Sequence, residues 1–149
     1  MAIVSDTPYG AFNYLVDLGT GETHDIVAGF SEVSGLSMEV SIIEYRAGNY
    51  PDTATVKLPG LPKYGKVTLK RGLIGSLDLF EWFSEAKALR PSRRRNVVIH
   101  LLNEAREPVF TWKLRNAWIS KYQAGSLNAN ANEIAIEEIA LVHEGLSLE

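Results

Sequence analysis

Cysteine is absent from the 149 residues, so no disulfide framework, thiolate metal site or cysteine nucleophile can be built. The same absence leaves the compartment open, because a chain without thiols tolerates either redox environment. Long apolar runs are also missing. No stretch approaches the length of a membrane span, and stable membrane insertion of the monomer is not expected. The opening residues Met1 to Pro8 lack the basic and apolar regions of a signal peptide, so the chain is expected to be made and kept in the cytoplasm. Charge of one sign is not in excess. A net charge of −3 and a pI near 5.7 give no pull toward nucleic acid.

What is present is an ordinary globular composition, 46% apolar and 22% charged, at a length suited to one domain over residues 1–149. Period-two alternation dominates. Phe12, Tyr14, Val16 and Leu18 share one strand face, and a turn at Gly19 to Glu22 leads to an expected partner strand at His24 to Phe30. A longer strand spans Val33 to Tyr45, with Leu36, Met38, Val40 and Ile42 on a dry face and Ser37, Glu39 and Ser41 on a wet one. A loop from Arg46 to Asp52 follows. Short strands are expected at Thr53 to Leu58 and Lys66 to Lys70, separated by Pro59 to Pro62.

One helix stands out, Leu77 to Leu89. Ser76 is its expected N-cap, Asp78 lies in the first turn, and Leu79, Phe83, Ala86 and Leu89 form its stripe, widened by Phe80 and Trp82. The last third reads as strands at Asn96 to Leu102, Val109 to Tyr122 and Glu133 to His143. Trp112, Leu114, Asn116 and Trp118 are expected on one face of the second. In the third, Ile134 and Ile136 are expected opposite Glu133 and Glu137.

Reactive constellations fail on inspection. Gly60-Leu61-Pro62-Lys63-Tyr64-Gly65-Lys66-Val67 approaches a phosphate-binding loop, but Val67 has no hydroxyl for magnesium and the segment enters a strand instead of a helix. His24, His100 and His143 fall on separate strands without ligand spacing. Glu137 and Glu138 alternate across a strand, a poor start for shared acid–base work. Arg93 to Arg95 reads as a solvated corner or a subunit contact, and the three tryptophans as core anchors. No enzyme activity, metal or cofactor is expected. Long amphipathic strands with a polar second face suit pairing with other chains.

A family resemblance runs through the chain in order. Its blocks are Phe30-Ser31-Glu32-Val33-Ser34-Gly35-Leu36, Glu44-Tyr45-Arg46-Ala47-Gly48, Lys57-Leu58-Pro59-Gly60 and Val67-Thr68-Leu69-Lys70-Arg71-Gly72. They continue with Trp112-Lys113-Leu114-Arg115-Asn116-Ala117-Trp118, Asn132-Glu133-Ile134-Ala135-Ile136-Glu137 and His143-Glu144-Gly145-Leu146. The set resembles the T4-type tail-tube proteins, above all the inner-tube subunits of phage-tail-like contractile injection systems. Type VI tube proteins share the architecture, but the blocks fit the T4-type family better.

The resemblance implies a mainly β fold, two packed antiparallel sheets forming a small barrel with one flanking helix. It implies six-subunit rings stacked into a hollow tube, a sheath outside, a baseplate and spike at one end and a terminator at the other. The tube would be driven through a target membrane and conduct protein or DNA cargo. Ser37, Glu39, Ser41, Glu133 and Glu137 are then expected to face the lumen. Tyr45, Arg46, Asn49, Tyr50 and Asp52 are expected between rings, and Glu81, Glu85, Lys87, Arg93 and Arg94 toward the sheath. The competing reading is a β-barrel ligand-binding module, which needs a large apolar cavity.

Overall fold

A computed structural model describes residues 2–19, 29–88 and 94–149. In chain order its elements are β1 (Tyr14–Asp17), β2 (Glu32–Ser34), β3 (Met38–Tyr45), β4 (Val56–Tyr64), β5 (Val67–Gly72), α1 (Asp78–Lys87), β6 (Arg95–Leu102), β7 (Pro108–Ala124), β8 (Ile136–Val142) and β9 (Gly145–Leu148). All pairings are antiparallel. One seven-stranded sheet runs β1-β6-β7-β8-β5-β2, with β9 also on β7, and β3 and β4 form a separate two-stranded sheet.

The long strand β7 organises the large sheet. Its first half pairs with β6 and β9, its second half with β8. Between the halves Asn116 sits at φ 51°, a left-handed conformation that asparagine tolerates better than most residues. There the β6 ladder jumps from Ala117 to Leu114. This bulge switches the face that β7 presents to the core. Leu114 is buried before it, Ala117 and Ile119 after it, and Trp118 therefore does not share a face with Trp112 as strict alternation predicts. The bend lets the two halves of the sheet close over one core. Val16, Val97, Ile99 and Leu114 contribute from one half, and Val67, Leu69, Ile119, Ile139 and Leu141 from the other. Barrel closure is not detected, because the terminal strands β1 and β2 are not paired with each other among the described residues.

The helix covers this core. Leu79 and Trp82 are buried and Phe83 packs against the cluster, while Phe80 stays exposed. The Arg95 guanidinium lies 4.4 Å from the Trp82 ring centroid, a cation–π contact at the edge of the core. Helix α1 starts later than expected, with Leu77 at the N-cap and no side-chain cap bond. Ser76 instead donates to Asp78 Oδ1 at 2.8 Å, and its oxygen accepts the Asp78 N–H at 3.4 Å. Leu89, the turn after Gly19 and most of the strand expected at His24 to Phe30 lie outside the described residues. The described partner of β1 is β6.

Candidate assembly surface

The β3–β4 hairpin departs most from the sequence reading. Val33 to Tyr45 is not one strand. It breaks at Gly35, whose φ of +84° suits glycine, and where an added Cβ would collide with the Lys66 carbonyl. Leu36, half-buried, packs against the core, and the chain then leaves the body as β3. The break expected at Pro59 to Pro62, between short strands, is instead the middle of β4. Both prolines fit because β4 pairs on one side only, with β3, so their missing N–H groups need not disrupt a second ladder. Pairing shifts from Val40–Pro62 to Ile42–Pro59, leaving Gly60 and Leu61 opposite Ser41. An added Cβ at Gly60 would lie 2.9 Å from the Ser41 carbonyl oxygen, so the bulge needs glycine.

Register assigns the faces. On one face Met38, Val40 and Ile42 stand opposite Tyr64, Pro62 and Pro59, and toward the turn Glu44 stands opposite Lys57. On the other face Glu39 is opposite Lys63 near the stem, and Ile43 and Tyr45 are opposite Leu58 and Val56 near the turn. The apolar surface thus changes face along the hairpin. Much of it stays open among the described residues: Ile42 is 67% exposed, Tyr45 55% and Val40 53%. The dry face expected of Met38, Val40 and Ile42 is therefore not buried among the described residues, where β3 pairs with β4 alone in a sheet of its own. A two-stranded hairpin is marginal alone in water, and this one has apolar side chains left over on both faces.

The turn holds the residues expected between rings. Arg46 Nε donates to the Asp52 carbonyl at 3.0 Å and its Nη2 to the Tyr50 carbonyl at 3.2 Å, which folds the loop onto itself. Tyr45 and Tyr50 meet edge to face at 6.4 Å. Asn49 is exposed, and Asp52 Oδ1 accepts the Ala54 N–H at 3.2 Å.

The residues assigned to a lumen divide. Ser37, Glu39 and Glu133 are exposed and Ser41 is half-buried. Lys63, missed in the sequence, joins Glu39 on its face; the signal available was the strand character of the Pro59–Pro62 segment, hidden by its prolines. Glu137 must be removed from the set. It is 2% exposed, because it shares a strand face with the buried Ile139 and Leu141, while Ile134 and Ile136 are outside. The face expected to be wet is the core face.

Glu137 lies directly opposite Arg71, itself 1% exposed. The Arg71 guanidinium donates to Glu137 Oε1 from Nε and to Asp78 at the start of α1 from Nη1 and Nη2, while the Tyr122 hydroxyl donates to Glu137 Oε2 at 2.6 Å. The network ties β5, β8, β7 and α1 together. Burial opposes the charge of Asp78, but hydrogen bonds from Arg71 and Ser76 outweigh it and hold the carboxyl below its ordinary value. Burial likewise works against Arg71, and its bonds to Asp78 and Glu137 raise it nonetheless. The bond to Glu137, helped by burial, pushes the Tyr122 phenol up to about 12.

The residues assigned to a sheath do not form one free patch. Glu81 and Lys87 are exposed on α1, with the Lys87 ammonium 5.8 Å from the Phe80 ring, whereas Glu85 is half-buried. Arg94 is occupied by an ion pair with Glu144, which Asn116 also holds at 2.8 Å. Arg93 lies outside the described residues. The two described histidines have separate partners. His100 Nδ1 is 3.0 Å from Thr111 Oγ1, His143 packs on the Tyr64 ring, and His24 lies outside the described residues. Among the described residues no group of three His, Asp or Glu could hold a metal ion.

Known proteins share this architecture. Residues 10–147 match the family model of the T4-like virus tail tube protein gp19. A chain of the extended sheath-tube complex of PVC, an extracellular contractile injection system, is 27% identical over 97% of this chain and 93% of that one, with a TM-score of 0.81. A chain of the tube terminating cap of the anti-feeding prophage AFP is 29% identical over 100% and 95%, with a TM-score of 0.83. Hcp1 from Flavobacterium johnsoniae shares the fold, at 15% identity over 92% of this chain and 94% of that chain, with a TM-score of 0.59. No curated protein sequence matches. The chain belongs to the T4-like tail tube protein family, a structural and non-enzymatic family, and is an inner-tube subunit of a phage tail or contractile injection system.

Proposed function

We propose that this chain works by assembling with copies of itself into six-membered rings that stack into a hollow tube. The observation that carries the reading is the β3–β4 hairpin, with apolar side chains left exposed on both faces among the described residues. A half-exposed aliphatic or aromatic side chain gains about 1 kcal/mol when a partner covers it. Covering the nine exposed apolar side chains of one hairpin therefore gains about 9 kcal/mol, within the roughly 4–15 kcal/mol that association can cost, so a single hairpin contact leaves little surplus. Such contacts favour an assembly in which each subunit is held by several neighbours at once, as in a stacked ring. The polar stem face, with Glu39, Lys63 and Ser41, then looks into the channel together with Ser37. The turn with Tyr45, Arg46, Asn49, Tyr50 and Asp52 reaches the next ring.

Sheath contacts outside, a terminating cap at one end and a baseplate with spike at the other follow from the kinship with subunits of sheathed and capped tubes. Passage of protein or DNA cargo rests on the same kinship. Assembly in the cytoplasm, within a phage-tail-like particle, completes the reading. The ligand-binding alternative is disfavoured by the interior, where Val67, Leu69, Ile119, Ile139 and Leu141 fill the space between the sheet halves. Negative-stain microscopy of the purified protein tests the proposal. Rings or tubes with a central hole are expected, and a monodisperse monomer under all conditions would sink it.

A further inference from the structure

We propose that the tip of the β3–β4 hairpin of one copy docks on a second copy at the corner made by the end of β5, the start of α1 and the start of β8. This rests on the tube reading above and adds the surface that receives the hairpin.

The corner is built by three adjoining segments. β5 ends at Gly72, opposite Ile136 at the start of β8, and the Leu73 N–H donates to the Ala135 carbonyl at 2.9 Å. Ile134 lies beside Gly72, 3.7 Å from where its Cβ would stand. The chain then turns at Gly75, with φ 86°, and enters α1 at Leu77. Leu73, Ile74, Leu77, Phe80, Ile134 and Ile136 are exposed there, six large apolar side chains at one place. The rim is acidic. Glu81 and Glu133 are exposed, and neither makes an ion pair among the described residues.

The hairpin tip complements that surface. Ile43, Tyr45, Val56 and Leu58 make one apolar face. Beside them Arg46 bonds only to backbone carbonyls among the described residues, so no carboxylate balances its charge. Apolar tip meets apolar corner, and Arg46 meets Glu81 and Glu133. The two surfaces lie on different elements, so the contact is heterologous, the kind that can propagate open-endedly from one ring to the next. The competing receptor is the groove of about 710 Å³ between the N-terminal segment and the β6–β7 turn. It also holds exposed apolar groups, Val4 and Phe12, but Ser5, Asp6, Thr7, Asn13, Asn103 and Glu104 make most of its lining polar.

The cysteine-free chain makes the test direct. The double variant Leu58→Cys with Leu77→Cys, oxidised under assembly conditions, is expected to give a ladder of cross-linked oligomers on a non-reducing gel, while each single variant gives none. Arg46→Glu is expected to weaken assembly at least tenfold, and adding Glu81→Arg with Glu133→Arg is expected to restore it. Tubes that form normally without the ladder would overturn the docking while leaving the tube reading intact. So would a ladder from Leu58→Cys with Phe12→Cys in its place. Failure of the unmodified chain to form rings or tubes would remove the tube reading itself.

Discussion

Arg71 takes a positive charge into the interior and meets Glu137 and Asp78 there, an arrangement in which each group's burial is tolerable only because of the others. Glu137→Leu should therefore destabilise the monomer by about 3 kcal/mol, since it strands part of a buried guanidinium. The pair Arg71→Met with Glu137→Leu should recover most of that loss, because Asp78 can reach solvent. Urea unfolding at concentrations too low for assembly reads both. The same network sets the pH response. Asp78 is held below its ordinary value in the folded chain, so its contribution is complete above the unfolded value and is lost as pH falls through the folded one. Stability should decline below roughly pH 4, and Asp78→Asn should flatten that limb. Tyr122 has the opposite sign. Its pKa is raised from 10.0 to about 12, so its contribution is complete below pH 10 and fades between these values. Tyr122→Phe should reduce the alkaline slope in thermal melts followed across the range, leaving the part due to Tyr14, whose phenol is also raised by burial.

At the scale of the element, the hairpin separates folding from assembly. Ile43 and Leu58 are about half exposed, face each other across the hairpin and lie outside the core cluster. Ile43→Asp or Leu58→Asp should change monomer stability by less than about 1 kcal/mol while removing rings from micrographs. Gly60→Val should act differently: its Cβ meets the Ser41 backbone, so the bulge must open, and loss of register should appear in hydrogen exchange of β3 and β4. Much of this element was legible. The alternation of Met38, Val40 and Ile42 against Glu39 and Ser41 located β3 and its two faces. Pro59 and Pro62 hid β4, because proline usually ends a strand and only the absence of a second partner admits it here. The β8 face was assigned backwards, since a glutamate was read as a solvent marker while its partner, Arg71, lay 66 positions away in sequence.

At the scale of the whole molecule, the exposed apolar surface marks a subunit. The large sheet holds a packed core and the small one extends from it, a division of labour suited to a body that sits in a ring and an arm that reaches a neighbour. Deleting Gly48 to Asp52 should leave a folded protein that no longer stacks, because the loop closed by Arg46 is lost while β3 and β4 keep their pairing. Size-exclusion chromatography and negative stain separate the outcomes, and tubes of normal length would reject the stacking role of that loop.

Sequence alone settled that this is a β-rich chain without thiol chemistry, and ordered blocks along it pointed to the tail-tube family, since local alternation and short motifs are written in consecutive residues. Tertiary structure decided which faces are inside. Burial depends on partners distant in the chain, so it moved Glu137 into the core, switched the phase of β7 at Asn116, and left apolar side chains exposed on both faces of the β3–β4 hairpin.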